Sequence, residues 1–104
     1  MPKAGDVIIA RMQFVDNEGA KIRPALILFE ELGNIVIAGI TTNLQMKGIP
    51  ISVKEGASQE SVLKLNYIFT ITEEAILKTV FHLSSEKKRL VFDELSRRLG
   101  GLKT

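Results

Sequence analysis

Between Val7 and Leu28 the chain alternates, turns and re-enters apolar sequence, and this pattern constrains the fold more than any other. Ile8, Ala10, Met12 and Phe14 fall on one side of an extended segment, with Val7, Ile9, Arg11 and Gln13 on the other, the period-two signature of a strand with one buried face. Asn17-Glu18-Gly19 supplies turn chemistry, and Ala25 to Phe29 is a short continuous apolar strand. That return strand is entered through Arg23-Pro24, so the proline ring fixes the backbone beside one guanidinium. A cation held in this way at the lip of a small barrel can grip a phosphate through two parallel hydrogen bonds. The plainer use of Arg23 is a solvated charge at a strand edge.

Short extended segments continue along the chain. Leu32-Gly33-Asn34 turns it, Ile35 to Ile40 is a third strand, and the polar loop Thr41 to Gly48, with Asn43, Gln45 and Lys47, is long enough to line a site. Ile49 to Val53 alternates, and Pro50 restricts it to a sheet edge. Lys54 to Glu60 reads as a connection, and Ser61 to Ile71 as β-rich. Thr72-Glu73-Glu74 predicts a short helix from about Glu73 to Lys78, because threonine can cap free N–H groups and acidic residues suit the positive helix end. A strand from Thr79 to Leu83 would follow.

The last segment predicts a helix capped by Ser84 or Ser85, with Val91, Phe92, Leu95 and Leu99 as its apolar stripe and Gly100-Gly101 as its end. Arg89 with Asp93, and Glu94 with Arg98, sit four apart and read as solvated helix pairs rather than a nucleic-acid clamp. Many short strands followed by one helix imply a mainly β domain over residues 1–104, a small barrel with that helix packed on it.

Several chemistries are excluded or disfavoured. Cysteine is absent, which removes disulfides, thiol nucleophiles and Cys-type zinc sites. His82, the one histidine, lies in an apolar stretch and reads as structural. The twelve acidic residues are scattered without ligand spacing, so neither a metal nor a cofactor is expected. No apolar run approaches the ~18 residues of a membrane span, and Met1 to Asp6 lacks a signal peptide's apolar core, so a cytoplasmic location off the membrane is expected. The net charge of +2 suits an anionic partner without identifying one.

Four blocks carry a resemblance. Gly5-Asp6-Val7-Ile8 looks like an opening strand, and Phe14-x-Asp16-x-x-Gly19-x-Lys21-x-Arg23-Pro24-Ala25-Leu26 matches a first hairpin in spacing. Ala38-Gly39-Ile40-Thr41-Thr42 looks like a segment ending in Ile-Thr, and Ser61-Val62 with Ile68-Phe69-Thr70-Ile71 like a late strand. Their shared order over about residues 4 to 99 resembles the MazF/PemK-like toxins of toxin–antitoxin systems, small metal-independent endoribonucleases on an SH3-like, CcdB-type barrel. The resemblance implies that Arg23 and Thr41 are catalytic. It also implies attack of a ribose 2′-hydroxyl on the adjacent phosphate, a homodimer, single-stranded mRNA as substrate, and a cognate antitoxin protein as inhibitor.

On physical grounds Arg23 suits charge stabilisation better than proton transfer, since a neutral guanidine is scarce. Thr41 could donate to the same phosphate or bond its own backbone, with Thr42 a substitute one residue away. Relatives often carry two arginines before the proline, where Ile22 stands here, and some have glutamine and arginine where this chain has Tyr67 and Phe69. Those aromatics either stack an unpaired base or fill the strand core. Lys21, Lys47, Lys54 and Lys64 could form a cationic RNA track or guard strand edges as solvated charges. Two alternatives share the architecture: a non-catalytic barrel that binds RNA or antitoxin, and a gyrase-poisoning toxin like CcdB.

Overall fold

A computed structural model describes residues 2–13 and 19–104. Among the described residues six strands are present in the order β1 (Asp6–Gln13), β2 (Ala20–Glu31), β3 (Asn34–Thr41), β4 (Ile49–Ile51), β5 (Ser61–Thr72) and β6 (Ile76–His82), followed by one α-helix, α1 (Ser85–Arg98). They form a single antiparallel sheet in the order β4-β5-β3-β2-β1-β6. The mainly β class expected from the sequence is the one observed.

Both faces of the central strands are buried. Ile8, Ala10 and Met12 of β1 share one core with Ala25 and Ile27 of β2 and with Ile35 and Ile37 of β3, and Phe69, Ile71 and Ile76 close over it. Residues of opposite parity, Val7, Leu26, Ala38 and Ile40, join Leu63, Leu65, Leu83 and Val91 in a second core under α1. Period-two alternation thus supplies two cores from one curled sheet. Each fully buried isoleucine contributes ~1.5–3 kcal/mol relative to an exposed one. Phe14 and the Asn17-Glu18 portion of the first turn lie outside the described residues.

The first edge carries the predicted proline. In β4, Ile49 and Ile51 are buried and Pro50 is exposed. The strand is shorter than the Ile49 to Val53 expected, because Val53–Glu55 winds into one 3-10 turn. Lys87 of α1 reaches this edge and donates to the Pro50 carbonyl at 2.6 Å, occupying an acceptor that would otherwise invite another strand.

Three expectations are corrected. The helix placed over Glu73 to Lys78 is a single 3-10 turn, Glu73–Ala75, and β6 starts three residues before the predicted Thr79. Tertiary pairing overrides the local capping signal. The open edge of β1 takes Ile76 opposite Ala10 and Lys78 opposite Ile9, and Ile76 packs into the concave core. The second correction concerns α1. Ser84 caps it, accepting from the Lys87 N–H at 3.2 Å, but its sheet-facing side runs through Lys87, Lys88, Val91 and Leu95. Phe92 sits about 100° round from Val91 and is 63% exposed, and Leu99 is exposed as well. Third, α1 ends at Arg98, and Gly100-Gly101 lies within a following 3-10 segment, Leu99–Lys103.

Candidate active site

Pro24 makes an opening in the sheet. The β1–β2 ladder runs through it unbroken, with Ile9 opposite Pro24, whereas the β2–β3 ladder stops one residue short, at Ala25 opposite Gly39. Proline has no N–H to offer β3, so pairing ends there. Continuing the register by two residues on each strand sets Arg23 opposite Thr41, just past the last hydrogen-bonded pair. Both line one cavity of about 570 Å³.

Arg23 is exposed and makes no ion pair among the described residues. Its Nη1 donates to the neighbouring Ile22 carbonyl at 3.1 Å, the one hydrogen bond its side chain makes among the described residues, so most of the guanidinium fork is left for an anion there. Thr41 combines the two uses considered for it. Its Oγ1 accepts from the Asn43 N–H at 3.1 Å, which fixes the side chain and leaves the hydroxyl hydrogen free to donate. Thr42 lines the same cavity.

The loop after Thr41 is a series of short turns. Asn43 Oδ1 accepts from the Gln45 N–H at 3.1 Å, and the Asn43 carbonyl accepts from the Met46 N–H at 3.1 Å, which brings Met46 to the cavity wall. Gly48 closes the loop where the backbone passes β5: a Cβ there would meet the Leu63 carbonyl oxygen at 2.3 Å. Only glycine permits that approach.

The opposite wall comes from an irregularity in β5. Gly39 pairs with Lys64 but Ala38 pairs with Ile68, so Leu65 to Tyr67 bulge from the ladder. Tyr67 is therefore 43% exposed and lines the cavity, with Phe69 partly buried beside it. Lys64 Nζ lies 5.7 Å from the Tyr67 ring centroid and donates to the Lys47 carbonyl. Lys64 thus joins the ring of Tyr67, which lines the cavity, to the Lys47 backbone, and Lys21 shares the strand parity of Arg23 two residues before it. Lys54 is elsewhere. It sits in the 3-10 turn Val53–Glu55, whose Glu55 carboxylate pairs with Lys87 of α1 at 3.3 Å.

Sequence reasoning passed over Gly39, Met12 and Met46, which also line the cavity. An isolated glycine inside the apolar run Ile35 to Ile40 was the available signal. No histidine or carboxylate lines the cavity among the described residues, and no group of three metal-ligating side chains gathers among them. His82 is not among the lining residues and is paired with Asp6 at the end of β6. Among the described residues no helix is long and apolar enough to cross a membrane.

The family model for PemK-like, MazF-like toxins of type II toxin–antitoxin systems matches residues 3–99. Endoribonuclease EndoA of Bacillus subtilis (strain 168) is 30% identical in a 95-residue alignment that covers 81% of this chain and 82% of that one. Among solved structures, a MazE–MazF crystal structure from Deinococcus radiodurans has a TM-score of 0.74 at 16% identity, covering 95% of this chain and 96% of that one. Mycobacterium tuberculosis toxin MazF-mt6 has a TM-score of 0.67 at 24% identity, covering 86% and 93%. A mycobacterial endoribonuclease in complex with its cognate antitoxin has a TM-score of 0.68 at 16% identity, covering 95% and 93%. With its fold, its Arg-Pro hairpin and its Ile-Thr segment in the family order, the chain belongs to the PemK-like, MazF-like toxins of type II toxin–antitoxin systems.

Proposed function

We propose that this toxin is a metal-independent endoribonuclease that cleaves single-stranded mRNA at the Arg23–Thr41 cavity. The observation that carries this reading is the convergence of an open guanidinium fork and a backbone-fixed hydroxyl on one cavity, at the point where Pro24 ends a ladder. The ribose 2′-hydroxyl gives up its proton to solvent as its oxygen attacks the adjacent phosphorus, the bond to the 5′-oxygen breaks, and that oxygen takes up a proton from solvent. A 2′,3′-cyclic phosphate and a free 5′-hydroxyl result. Arg23 holds the two non-bridging phosphate oxygens as negative charge accumulates on them, and Thr41 donates to one of the same oxygens or orients the 2′-hydroxyl.

Lys21, Lys47 and Lys64 would neutralise flanking phosphates, with Thr42 and Tyr67 contacting the strand between them. EndoA is named an endoribonuclease, and two of the structural relatives are complexes with antitoxins. A cognate antitoxin covering this cavity is accordingly part of the proposal, as are a homodimer and a cytoplasmic setting where mRNA is available. The test is incubation of purified protein with a long single-stranded RNA in EDTA, followed by mapping of the ends. Cleavage leaving 2′,3′-cyclic phosphate is expected. Binding without cleavage would favour the non-catalytic barrel, and loss of cleavage in EDTA with rescue by a divalent ion would overturn the mechanism.

A further inference from the structure

The cavity's polar side chains are few, and the phosphate chemistry uses most of them. Arg23, Thr41 and Thr42 are taken up by phosphate and sugar, and beyond them only the Tyr67 hydroxyl remains among the described lining residues. Among the described lining residues no asparagine, glutamine, aspartate, glutamate or histidine side chain supplies the paired donor and acceptor that reads a base edge. What remains is apolar and aromatic.

Gly39 gives that apolar region its shape. It precedes Thr41 by two residues on the same strand face, ~6–7 Å along β3. A Cβ built on it would lie 3.5 Å from Tyr67 Cβ, 3.8 Å from the Tyr67 carbonyl oxygen and 3.9 Å from Phe69 Cε2, so a side chain here would fill the floor of the cavity beside Tyr67. The bulge at Leu65 to Tyr67 turns the Tyr67 ring out of the ladder, and Lys64 sits over it. With Lys64 over one face of its ring, the exposed remainder of Tyr67 faces the cavity beside the phosphate grip.

We infer that this is a nucleobase slot floored by Gly39 and walled by Tyr67, and that it selects purines over pyrimidines by stacking area, without distinguishing adenine from guanine. The inference rests on the RNA-cleaving reading of the same cavity. Base–aromatic stacking depends on π surface, which is larger for purines, and needs no edge contacts. Gly39 and Tyr67 are then specificity-determining residues.

Tyr67 is the only tyrosine and the chain has no tryptophan, so intrinsic emission reports this ring alone. The probes are 2′-O-methyl RNA hexamers of pyrimidine sequence carrying one central adenine, guanine, uracil or abasic position; the methyl group blocks attack, so binding is read without cleavage. Both purine probes should quench Tyr67 and bind several-fold more tightly than the uracil probe, with the abasic probe weakest. Tyr67→Ala should erase the purine preference, costing roughly tenfold in affinity for purine probes. Gly39→Val should do the same by filling the slot, and Gly39→Ala, whose Cβ meets only ordinary contact distances, should do so in part.

Tight binding with unchanged Tyr67 emission, or more than tenfold discrimination between the adenine and guanine probes, would overturn the slot. Unmodified RNA separates the two readings. Cleavage whose site spectrum is indifferent to Gly39→Val refutes the slot and leaves the nuclease standing. Purine-selective quenching without cleavage keeps the slot and refutes the nuclease, and no binding by any probe refutes both.

Discussion

His82 Nδ1 lies 2.8 Å from Asp6 Oδ1, joining residues 76 apart in sequence as the terminal pair of the β1–β6 ladder. A carboxylate oxygen accepts, so Nδ1 carries the proton and the other ring nitrogen, Nε2, accepts from the Lys88 ammonium at 2.9 Å. Asp6 is buried, and its second oxygen accepts from the Lys3 N–H at 3.0 Å. One imidazole therefore ties the N-terminal strand, the last strand and the helix together.

That arrangement makes His82 a stability residue. His82→Ala should lower the unfolding free energy by ~1–3 kcal/mol in urea titrations, because it leaves a buried carboxylate oxygen without its partner. His82→Asn, which can still donate, should recover part of the loss. RNA cleavage per folded molecule should stay unchanged, since His82 does not line the cavity. A variant that folds normally but cuts a hundredfold more slowly would give His82 a role at the site.

Arg23 should behave in the opposite way. Among the described residues its side-chain hydrogen bond is to the Ile22 carbonyl, so Arg23→Ala should leave the circular dichroism spectrum and melting temperature intact. Cleavage should fall about a hundredfold, the ~3 kcal/mol of a lost charge-assisted contact to the transition state. Arg23→Lys should fail substantially as well, because an ammonium lacks the fork. Thr41→Val should slow cleavage by tenfold or more while Thr41→Ser retains it, and Thr42→Val should be mild if Thr41 holds the phosphate.

Much of this was legible before the structure, for reasons that lie in particular residues. Alternation at Ile8, Ala10 and Met12 reports a buried face directly, and Arg23-Pro24 marks a strand entry through proline's own geometry. The capping signal at Thr72 misled because it is local, whereas the free edge of β1 that recruits Ile76 is not. The helix stripe misled for a related reason. Lysine stems with polar heads take sheet-facing positions at Lys87 and Lys88, so hydropathy placed Phe92 inward and the structure turns it out. The bulge that aims Tyr67 into the cavity is a register shift between distant strands, which no single segment encodes.

The β2–β3 hairpin offers a stabilising change. Leu32 and Gly33 are its two turn residues, with φ of 51° and 85°, the left-handed pair of a type I′ turn. Leucine pays about 1–2 kcal/mol for that conformation, and at 93% exposure its side chain recovers little. Leu32→Asn, giving the favoured Asn-Gly pair, should raise stability by ~0.5–1 kcal/mol and the melting temperature by a few degrees. An unchanged or lower melting temperature would refute the turn assignment.

Glu55 links stability to acid. Burial pushes its carboxyl up, but hydrogen bonds from the Ser52 N–H and hydroxyl and the Lys87 ammonium outweigh it and hold the carboxyl below its ordinary value of 4.5. A carboxylate depressed in the folded state stabilises fully above its unfolded value and loses that contribution as the pH falls through the lower folded one. Glu55→Gln should therefore cost about 0.5 kcal/mol at neutral pH, a modest figure because the pair is partly solvated, and the gap to the native chain should close in acid. A gap that widens in acid would contradict the sign.

Salt dependence tests the cationic track and sorts its members. Each phosphate neutralised on a single strand releases counterions, so log affinity should fall with log salt at a slope of about 0.7 per contact. Lys64 sits over Tyr67, a lining residue of the cavity, and against the Lys47 carbonyl, and Lys21 shares the strand parity of Arg23. Lys64→Ala and Lys21→Ala should each reduce the slope by about 0.7 and weaken binding at low salt, with little effect at high salt where the contribution is already screened. Lys54 stands on the 3-10 turn that packs toward Lys87 of α1, so Lys54→Ala should leave both slope and affinity unchanged. Measuring binding of a 2′-O-methyl RNA across a salt series with all three variants decides it. Equal loss from Lys54→Ala and Lys64→Ala would mean that the strand runs over the helix side of the sheet, and the path proposed through Arg23 and Tyr67 would be wrong.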